Sequence, residues 1–248
     1  MEYIDKSWRN LFKFLMITFV LTWCFGWGAM AVFKVSQLSP LGNVMHIFAG
    51  LGPMFAAYFC LKDRSWSSIK NFLFRAHKGS WVYLLLFLFL QVLIIALSSR
   101  EASGLVDETL LPILFIQASL IGGGNEEPGW RGVMQPILET KLPFFLASLV
   151  TGLVWAVWHL PLWFIEGSIQ QTFPFYQFTL YAILLSFIMA AIYRQSGSVF
   201  YCSIFHGLNN VLIVYFVLKI NGILLTGLVL LLLLSIILSK YNNKQEFL

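Results

Sequence analysis

Three short segments of this 248-residue chain place ionisable or amide side chains inside long apolar runs. They are residues 122–132, with two adjacent glutamates and an arginine, residues 155–159, which end in a histidine, and residues 206–210. A carboxylate can act as a general base, an imidazole can bind or orient a proton donor, and paired donors can stabilise a developing oxyanion. These residue types suit hydrolysis through an activated water molecule.

The spacing within the segments predicts which side chains share a helical face. Glu127 and Arg131 are four residues apart, so we expect an ion pair along one face. Glu126 points about 100° away from that face and remains available as a base. His206 and Asn210 are also four apart, so both donors project from one face and can converge on one ligand group.

The same residues allow a second chemistry, a zinc site. Glu126, His159 and His206 would suit zinc with an open water position. Against zinc, the chain has no His-Glu-x-x-His sequence, and Asn210 is a better oxyanion donor than a metal ligand. We therefore favour a reaction without a cofactor. Trp155 lies one turn before His159 on the same helical face, so we expect its ring to form an aromatic wall beside the imidazole.

Composition places these segments in a membrane protein. Apolar residues make up 59% of the chain, charged residues only 11%, and the mean hydropathy is +0.80. A soluble domain carries roughly 25% charged residues, so this chain cannot cover a water-soluble surface. The net charge is +5, and the sequence contains no dense basic tract, which argues against nucleic acid as a partner.

The apolar runs predict an all-α, polytopic membrane bundle of about eight transmembrane helices. The predicted spans are residues 14–33, 44–61, 81–99, 109–140, 143–165, 174–193, 199–217 and 222–239. Since no repeat or separate soluble segment is visible, we expect a single domain over residues 1–248, with the motif-bearing core at about 110–217. Trp23, Trp27 and Trp163 are expected to anchor at the membrane interfaces.

Depth along these helices tests whether the motifs can meet. If the fourth span is one helix that continues past Glu126, then Glu126 and His159 lie about 24 Å from a common turn on antiparallel neighbours. We therefore expect a continuous helix, kinked at Pro128 and Pro136. His206 reaches the same depth if the turn projects about 10 to 15 Å beyond the membrane. All three ionisable groups would then surround one water-sized position.

The motifs resemble those of the CAAX protease and bacteriocin-processing family, also called the Abi family. That family carries Glu-Glu-x-x-x-Arg, aromatic-x-x-x-His and His-x-x-x-Asn/Asp motifs on its fourth, fifth and seventh spans. They stand here as Glu126-Glu127-x-x-x-Arg131, Trp155-x-x-x-His159 and His206-x-x-x-Asn210. The family's second motif more often begins with Phe, so Trp155 departs from the pattern while keeping an aromatic ring.

The resemblance implies an intramembrane endopeptidase in a multi-pass protein of the cell membrane, of the compact bacterial type. Glu126 would activate water with help from His159, His206 and Asn210 would stabilise the oxyanion, and Glu127 with Arg131 would shape the site. The implied partners are lipid and a membrane-associated peptide or protein, such as a peptide pheromone or bacteriocin precursor. The resemblance implies prenylated substrates for eukaryotic members.

Three alternatives stay open at this point. A zinc-dependent protease would use Glu126, His159 and His206 as ligands. A non-catalytic bacteriocin-immunity or scaffolding protein could share the fold, because some family members are associated with such protection. A proton-coupled transporter could use the same cluster, although the sequence shows no inverted repeat.

Charge distribution predicts that both termini are cytoplasmic. Of the 16 Lys and Arg residues, all but Lys34, Arg100 and Lys219 fall in the termini and alternate loops on one side. In a background without native cysteines, Lys34→Cys and Lys70→Cys should therefore react with an impermeant maleimide from opposite sides of the membrane. Labelling of both from the same side would contradict this topology.

Overall fold

Over residues 3–99, 101–217 and 220–241, which the computed structural model describes, the chain forms α-helices and no β-strand. Short 3-10 and π-helical turns join several of the helices. The predicted all-α class is therefore confirmed. In chain order the α-helices are α1 (Trp8–Phe19), α2 (Trp27–Phe33), α3 (Pro40–Gly50), α4 (Gly52–Cys60), α5 (Trp66–Phe74), α6 (Trp81–Ser98), α7 (Leu111–Leu120), α8 (Glu127–Gly129), α9 (Gln135–Leu138), α10 (Phe144–Trp158), α11 (Phe175–Ser196), α12 (Val199–Tyr215) and α13 (Gly222–Lys240).

Among the described residues, six helical segments are long and apolar enough to cross a membrane, and α12 is apolar but shorter. The chain is an integral, multi-pass membrane protein. A total of eight spans and cytoplasmic termini remain predictions. Arg100, Lys219 and Lys244, which enter the charge argument, lie outside the described residues. The six segments are Trp8–Phe33, Pro40–Cys60, Trp81–Ser98, Phe144–Phe164, Phe175–Ser196 and Gly222–Lys240.

The fourth predicted span is broken, so our expectation of one continuous helix is wrong. Helix α7 ends at Leu120, and Gly123 adopts a φ of +128°, whereas an α-helix needs a φ near −63°. Helical structure resumes at the 3-10 turn Gly124–Glu126. Pro128 and Pro136 then lie in the first turns of α8 and α9, where a missing N–H has no helical partner to lose.

Contacts group the chain into two compact units. The first contains Met1–Lys70 and Glu126–Ser186, and the second contains Asn71–Asn125 and Phe187–Leu248. Each unit draws on two separate stretches of the chain, so neither is a consecutive domain. The single domain expected over residues 1–248 stays a prediction.

In the first unit, helix α4 packs between α1 and α8. Gly129 lies at this crossing, because a Cβ atom there would be 2.7 Å from the Phe14 ring and 2.8 Å from the backbone oxygen of Pro53. The absence of a side chain therefore lets α8, which begins directly after Glu126, approach the other two helices closely.

Two π-helical turns, Val20–Cys24 and Trp130–Met134, interrupt regular helix in the first unit. A π-turn accommodates one extra residue and so rotates the side chains that follow it. In the earlier turn, the buried hydroxyl of Thr22 donates to the Ala49 carbonyl at 2.9 Å and accepts the Trp158 indole N–H at 2.8 Å. Thr22 thereby fixes the aromatic residue that directly precedes His159.

In the second unit, α12 packs against α6 and α7, and α13 packs against α6. Gly207 lies at the contact between α12 and α7, where a Cβ atom would overlap Oγ of Ser119 and lie 2.7 Å from its backbone nitrogen. The close approach brings the motif face of α12 beside the glycine-rich segment that follows α7.

The close packing at Gly129 leads to a prediction about the stability of the protein. Gly129→Ala forces a methyl group against proline backbone, and we expect the free energy of unfolding to fall by about 1 to 3 kcal/mol, as for other overpacked sites. Thermal unfolding of the purified protein in detergent measures this change.

Gly222→Ala is the matched control, because a Cβ atom at this first residue of α13 meets nothing within 4 Å. Its melting temperature should stay unchanged or rise, since alanine is the better helix former. Equal melting temperatures for the two variants would contradict the close packing at α8.

Candidate active site

Glu126 is a buried carboxylate, 5% exposed, at the point where helical structure resumes after the glycines. Its Oε2 accepts the indole N–H of Trp155 at 2.6 Å and that of Trp130 at 3.3 Å. Trp130 is one helical turn further along the chain, and Trp155 comes from α10. The two indoles hold one carboxylate oxygen.

His159 caps the C-terminus of α10 and faces the other oxygen of Glu126. Its Nδ1 lies 2.9 Å from the Trp155 carbonyl, which can only accept, so Nδ1 carries a proton. Nε2, which accepts when the imidazole is neutral, lies 4.0 Å from Oε1 of Glu126. The hairpin argument correctly predicts that these residues lie side by side, although the helix it assumed is broken.

Aromatic rings enclose the His159 imidazole, which is 8% exposed. Trp155 forms the predicted wall, with its ring centroid 5.6 Å from that of His159. The rings of Trp27, Trp158 and Phe178 also contact the imidazole, with centroids at 5.5, 4.6 and 4.9 Å. The motif spacing does not predict these three contacts. Such a wall excludes bulk water and strengthens electrostatic interactions inside it.

We expected Trp27 to anchor at a membrane interface, and this is wrong because its side chain is buried inside the protein. It is 3% exposed and donates its indole N–H to the His46 carbonyl at 3.1 Å. Trp23 and Trp163 likewise donate to the backbone oxygens of Trp158 and Phe173, at 3.1 and 2.8 Å. These tryptophans satisfy their polar groups within the protein.

Glu127 and Arg131 form the ion pair that their spacing predicts. Nε of Arg131 lies 3.2 Å from Oε2 of Glu127, and both side chains are fully buried. The guanidinium also lies over the Trp155 ring at 5.8 Å from its centroid. Within the described part of the chain, the Nη atoms of Arg131 have no hydrogen-bond partner, so its charge depends strongly on Glu127.

The second unit carries His206 and Asn210 on one face of α12, with His206 3% exposed. Asn210 donates from Nδ2 to the Gly122 carbonyl at 2.7 Å. One turn before His206, Ser203 donates from Oγ to the Gly124 carbonyl at 2.6 Å. The glycine-rich segment is thus held against α12 from both ends.

Two side-chain nitrogens on α12, Nε2 of His206 and Nδ2 of Asn210, converge beside Gly123. A Cβ atom built there would overlap Nδ2 of Asn210 and lie 2.8 Å from Nε2 of His206. Their convergence on one point agrees with the expectation from their spacing. We also predicted that His206, Glu126 and His159 surround one water position. This prediction involves residues of both units and stays a prediction.

The arrangement provides two chemical elements. In the first unit, an oriented carboxylate with one oxygen directed at an imidazole can take a proton from water. In the second unit, the two side-chain nitrogens beside Gly123 can bind an oxygen carrying negative charge when both carry a proton.

Comparison with known proteins agrees with the motifs. Residues 108–212, which contain all three, match the family described as "Type II CAAX prenyl endopeptidase Rce1-like". A stretch of 60 residues, 24% of the chain, is 38% identical to "CAAX prenyl protease 2" of Methanococcus maripaludis, and it spans 21% of that protein's length. Through this segment, the chain is similar to the CAAX protease and bacteriocin-processing family.

Proposed function

We propose that this protein hydrolyses a peptide bond in a membrane-associated peptide or protein, with Glu126 as the general base. The observation that carries the proposal is the geometry of its buried carboxylate. Two indole N–H groups hold Oε2, while Oε1 faces Nε2 of His159 at 4.0 Å. A buried ionisable group in an apolar span is costly and is by default functional.

The separation of 4.0 Å between Oε1 and Nε2 suits a bridging water. A water oxygen about 2.8 Å from both atoms subtends an angle of about 90° between them, close to the angle between its two protons. It would donate one O–H to Glu126 and one to His159. Its lone pairs then point away from both groups, toward a substrate carbonyl carbon.

In the proposed reaction, the water oxygen bonds to the carbonyl carbon while Glu126 takes one of its protons. Glu126 then passes this proton to the nitrogen as the carbon–nitrogen bond breaks, so that an acid and an amine leave. His159 orients the water through Nε2, and the surrounding rings exclude other water. Positioned proton transfer of this kind typically contributes about 10²- to 10⁴-fold in rate.

His206 and Asn210 are assigned to the oxyanion that forms on the substrate carbonyl oxygen. This role needs protons on Nε2 of His206 and Nδ2 of Asn210, the atoms that meet beside Gly123. Donors aimed at the developing charge are typically worth about 10²- to 10³-fold each in rate.

The substrate we propose is a lipid-anchored or membrane-embedded peptide. The matched family and relative bear the words "prenyl endopeptidase" and "prenyl protease", which favour a peptide with a prenylated cysteine as the first probe. Peptide pheromone and bacteriocin precursors are the other candidates. Mass spectrometry of peptides that accumulate in cells carrying Glu126→Gln distinguishes these substrate classes.

The base assignment predicts the effect of Glu126→Gln. The amide can still accept the indole N–H groups but cannot take a proton from water, so we expect a folded protein with hydrolysis reduced by at least about 10²-fold. Cleavage of a quenched, farnesylated CAAX peptide in proteoliposomes measures the rate. Full activity of this variant in complementation would exclude the protease and favour a scaffolding or immunity role.

Glu127→Ala is the matched control for the adjacent carboxylate. It leaves Arg131 buried and unpaired, which typically costs about 3 to 5 kcal/mol of stability, so melting temperature and activity should fall together. A stable but inactive Glu127→Ala variant would reverse the assignment of the two glutamates.

Loss of wild-type activity with 1,10-phenanthroline, restored by zinc, would favour the zinc alternative.

Gly123 provides a prediction for the oxyanion pair. Gly123→Ala places a methyl group where the two donor nitrogens converge, so we expect kcat to fall by about 10²-fold, the scale of losing an oxyanion donor. The same proteoliposome assay gives kcat per folded molecule.

Gly104→Ala separates displacement of the donors from backbone strain. Gly104 also has a positive φ, +70°, but a Cβ atom there meets nothing within 4 Å. It should lose some stability and keep its kcat. Equal kcat losses in both variants would mean that backbone strain, and not the oxyanion pair, explains the effect.

A further inference from the structure

A chain of three buried or partly buried amides runs through the second unit and ends at Asn210. Gln91, on α6, is 5% exposed and donates from Nε2 to Oδ1 of Asn209 at 2.6 Å. Asn209, 1% exposed, donates from Nδ2 to Oδ1 of Asn210 at 3.1 Å. Asn210 in turn donates from Nδ2 to the Gly122 carbonyl at 2.7 Å.

We propose that Gln91 is a positioning residue that acts through Asn209 to orient the Asn210 amide for oxyanion binding. The inference rests on the proposed function, in which Asn210 is an oxyanion donor. Neither Gln91 nor Asn209 belongs to the three motifs, and α6 lies outside the matched segment 108–212.

The direction of the hydrogen bonds explains how Gln91 can act from two residues away. An amide group has donors on nitrogen and an acceptor on oxygen, and a rotation of 180° exchanges them. The Gly122 carbonyl can only accept, so Nδ2 of Asn210 faces it and Oδ1 of Asn210 faces Nδ2 of Asn209. Gln91 stabilises this arrangement by donating to Oδ1 of Asn209, the oxygen at the other end of that amide.

Without Gln91, Oδ1 of Asn209 loses the donor at 2.6 Å that favours this orientation, so the free-energy difference between the two amide orientations becomes smaller. If the Asn209 amide rotates, its oxygen faces the oxygen of Asn210, and two acceptors repel each other. The Asn210 amide must then turn, which carries Nδ2 away from the point beside Gly123 where it meets Nε2 of His206. In a medium of low dielectric constant such chains also reinforce themselves, so the loss of one link weakens the others.

The position of Gln91 in the sequence supports a specific role. It lies near the middle of an otherwise apolar helix, in the run Leu-Phe-Leu-Phe-Leu-Gln-Val-Leu-Ile-Ile. An amide in such a helix must be hydrogen-bonded to a neighbour. A backbone carbonyl would satisfy that need, whereas Gln91 donates to a side chain that directly contacts the proposed oxyanion donor.

Gln91→Leu tests the inference, because leucine keeps much of the side-chain volume and removes the amide. We expect kcat for the farnesylated CAAX peptide to fall about tenfold with little change in KM, since the group it orients acts mainly in the transition state. Gln195→Leu is the matched control: Gln195 is a buried glutamine that donates to the backbone oxygens of Leu238 and Tyr241. It should lose stability but keep kcat per folded molecule.

A double-mutant cycle with Asn210→Ala separates this inference from the proposed function. If Gln91 acts through Asn210, then Gln91→Leu should have no further effect on kcat in the Asn210→Ala background. Independent, multiplying losses would overturn the positioning role and leave the oxyanion assignment in place. Full kcat in Asn210→Ala alone would instead overturn the oxyanion assignment.

The side-chain N–H signals of Asn210 give a readout that does not depend on turnover. In protein labelled with ¹⁵N-asparagine, the pair that disappears in Asn210→Ala belongs to this residue. Gln91→Leu should shift or broaden that pair, and Gln195→Leu should leave it in place. An unchanged Asn210 signal in Gln91→Leu would overturn the inference even if the probe peptide were not cleaved.

Discussion

A carboxylate that is 5% exposed, in a chain built to cross a bilayer, loses most of its hydration and needs donors from the protein. Glu126 obtains them from the indoles of Trp130 and Trp155, both at the same oxygen. The other oxygen is thereby directed at His159. Much of the first unit serves this arrangement, since α10 supplies Trp155, His159 caps the C-terminus of that helix, and Thr22 fixes Trp158 between them.

The second unit brings Nε2 of His206 and Nδ2 of Asn210 to one point beside Gly123. Backbone geometry does part of this, because a φ of +128° at Gly123 lets the chain pass within reach of His206 and Asn210. Hydrogen bonds to the Gly122 and Gly124 carbonyls then fix the segment to α12. A side chain at residue 123 would occupy the space that the donors share.

Helical spacing was sufficient to predict contacts within one helix, such as the ion pair between Glu127 and Arg131. Counting rise per residue also predicted that Glu126 and His159 are neighbours, because both sides of a hairpin can be measured from its turn. The break at Gly123 could not be predicted in this way, since glycines in a span equally permit close helix packing. Contacts of Trp27 and Gln91 depend on which distant helices adjoin them, and local periodicity does not encode that.

Trp155 shows how a small departure from a family motif can change what a residue does. In the family that the motifs resemble, this position more often holds Phe, whose side chain has no hydrogen-bond donor. Here the ring lies 5.6 Å from that of His159, and the indole N–H also donates to Glu126 at 2.6 Å. A phenyl ring would remove this bond, which is shorter than the bond from Trp130 at 3.3 Å. Because the Trp155 carbonyl accepts from His159 as well, this one residue positions both members of the pair to which we assign water activation.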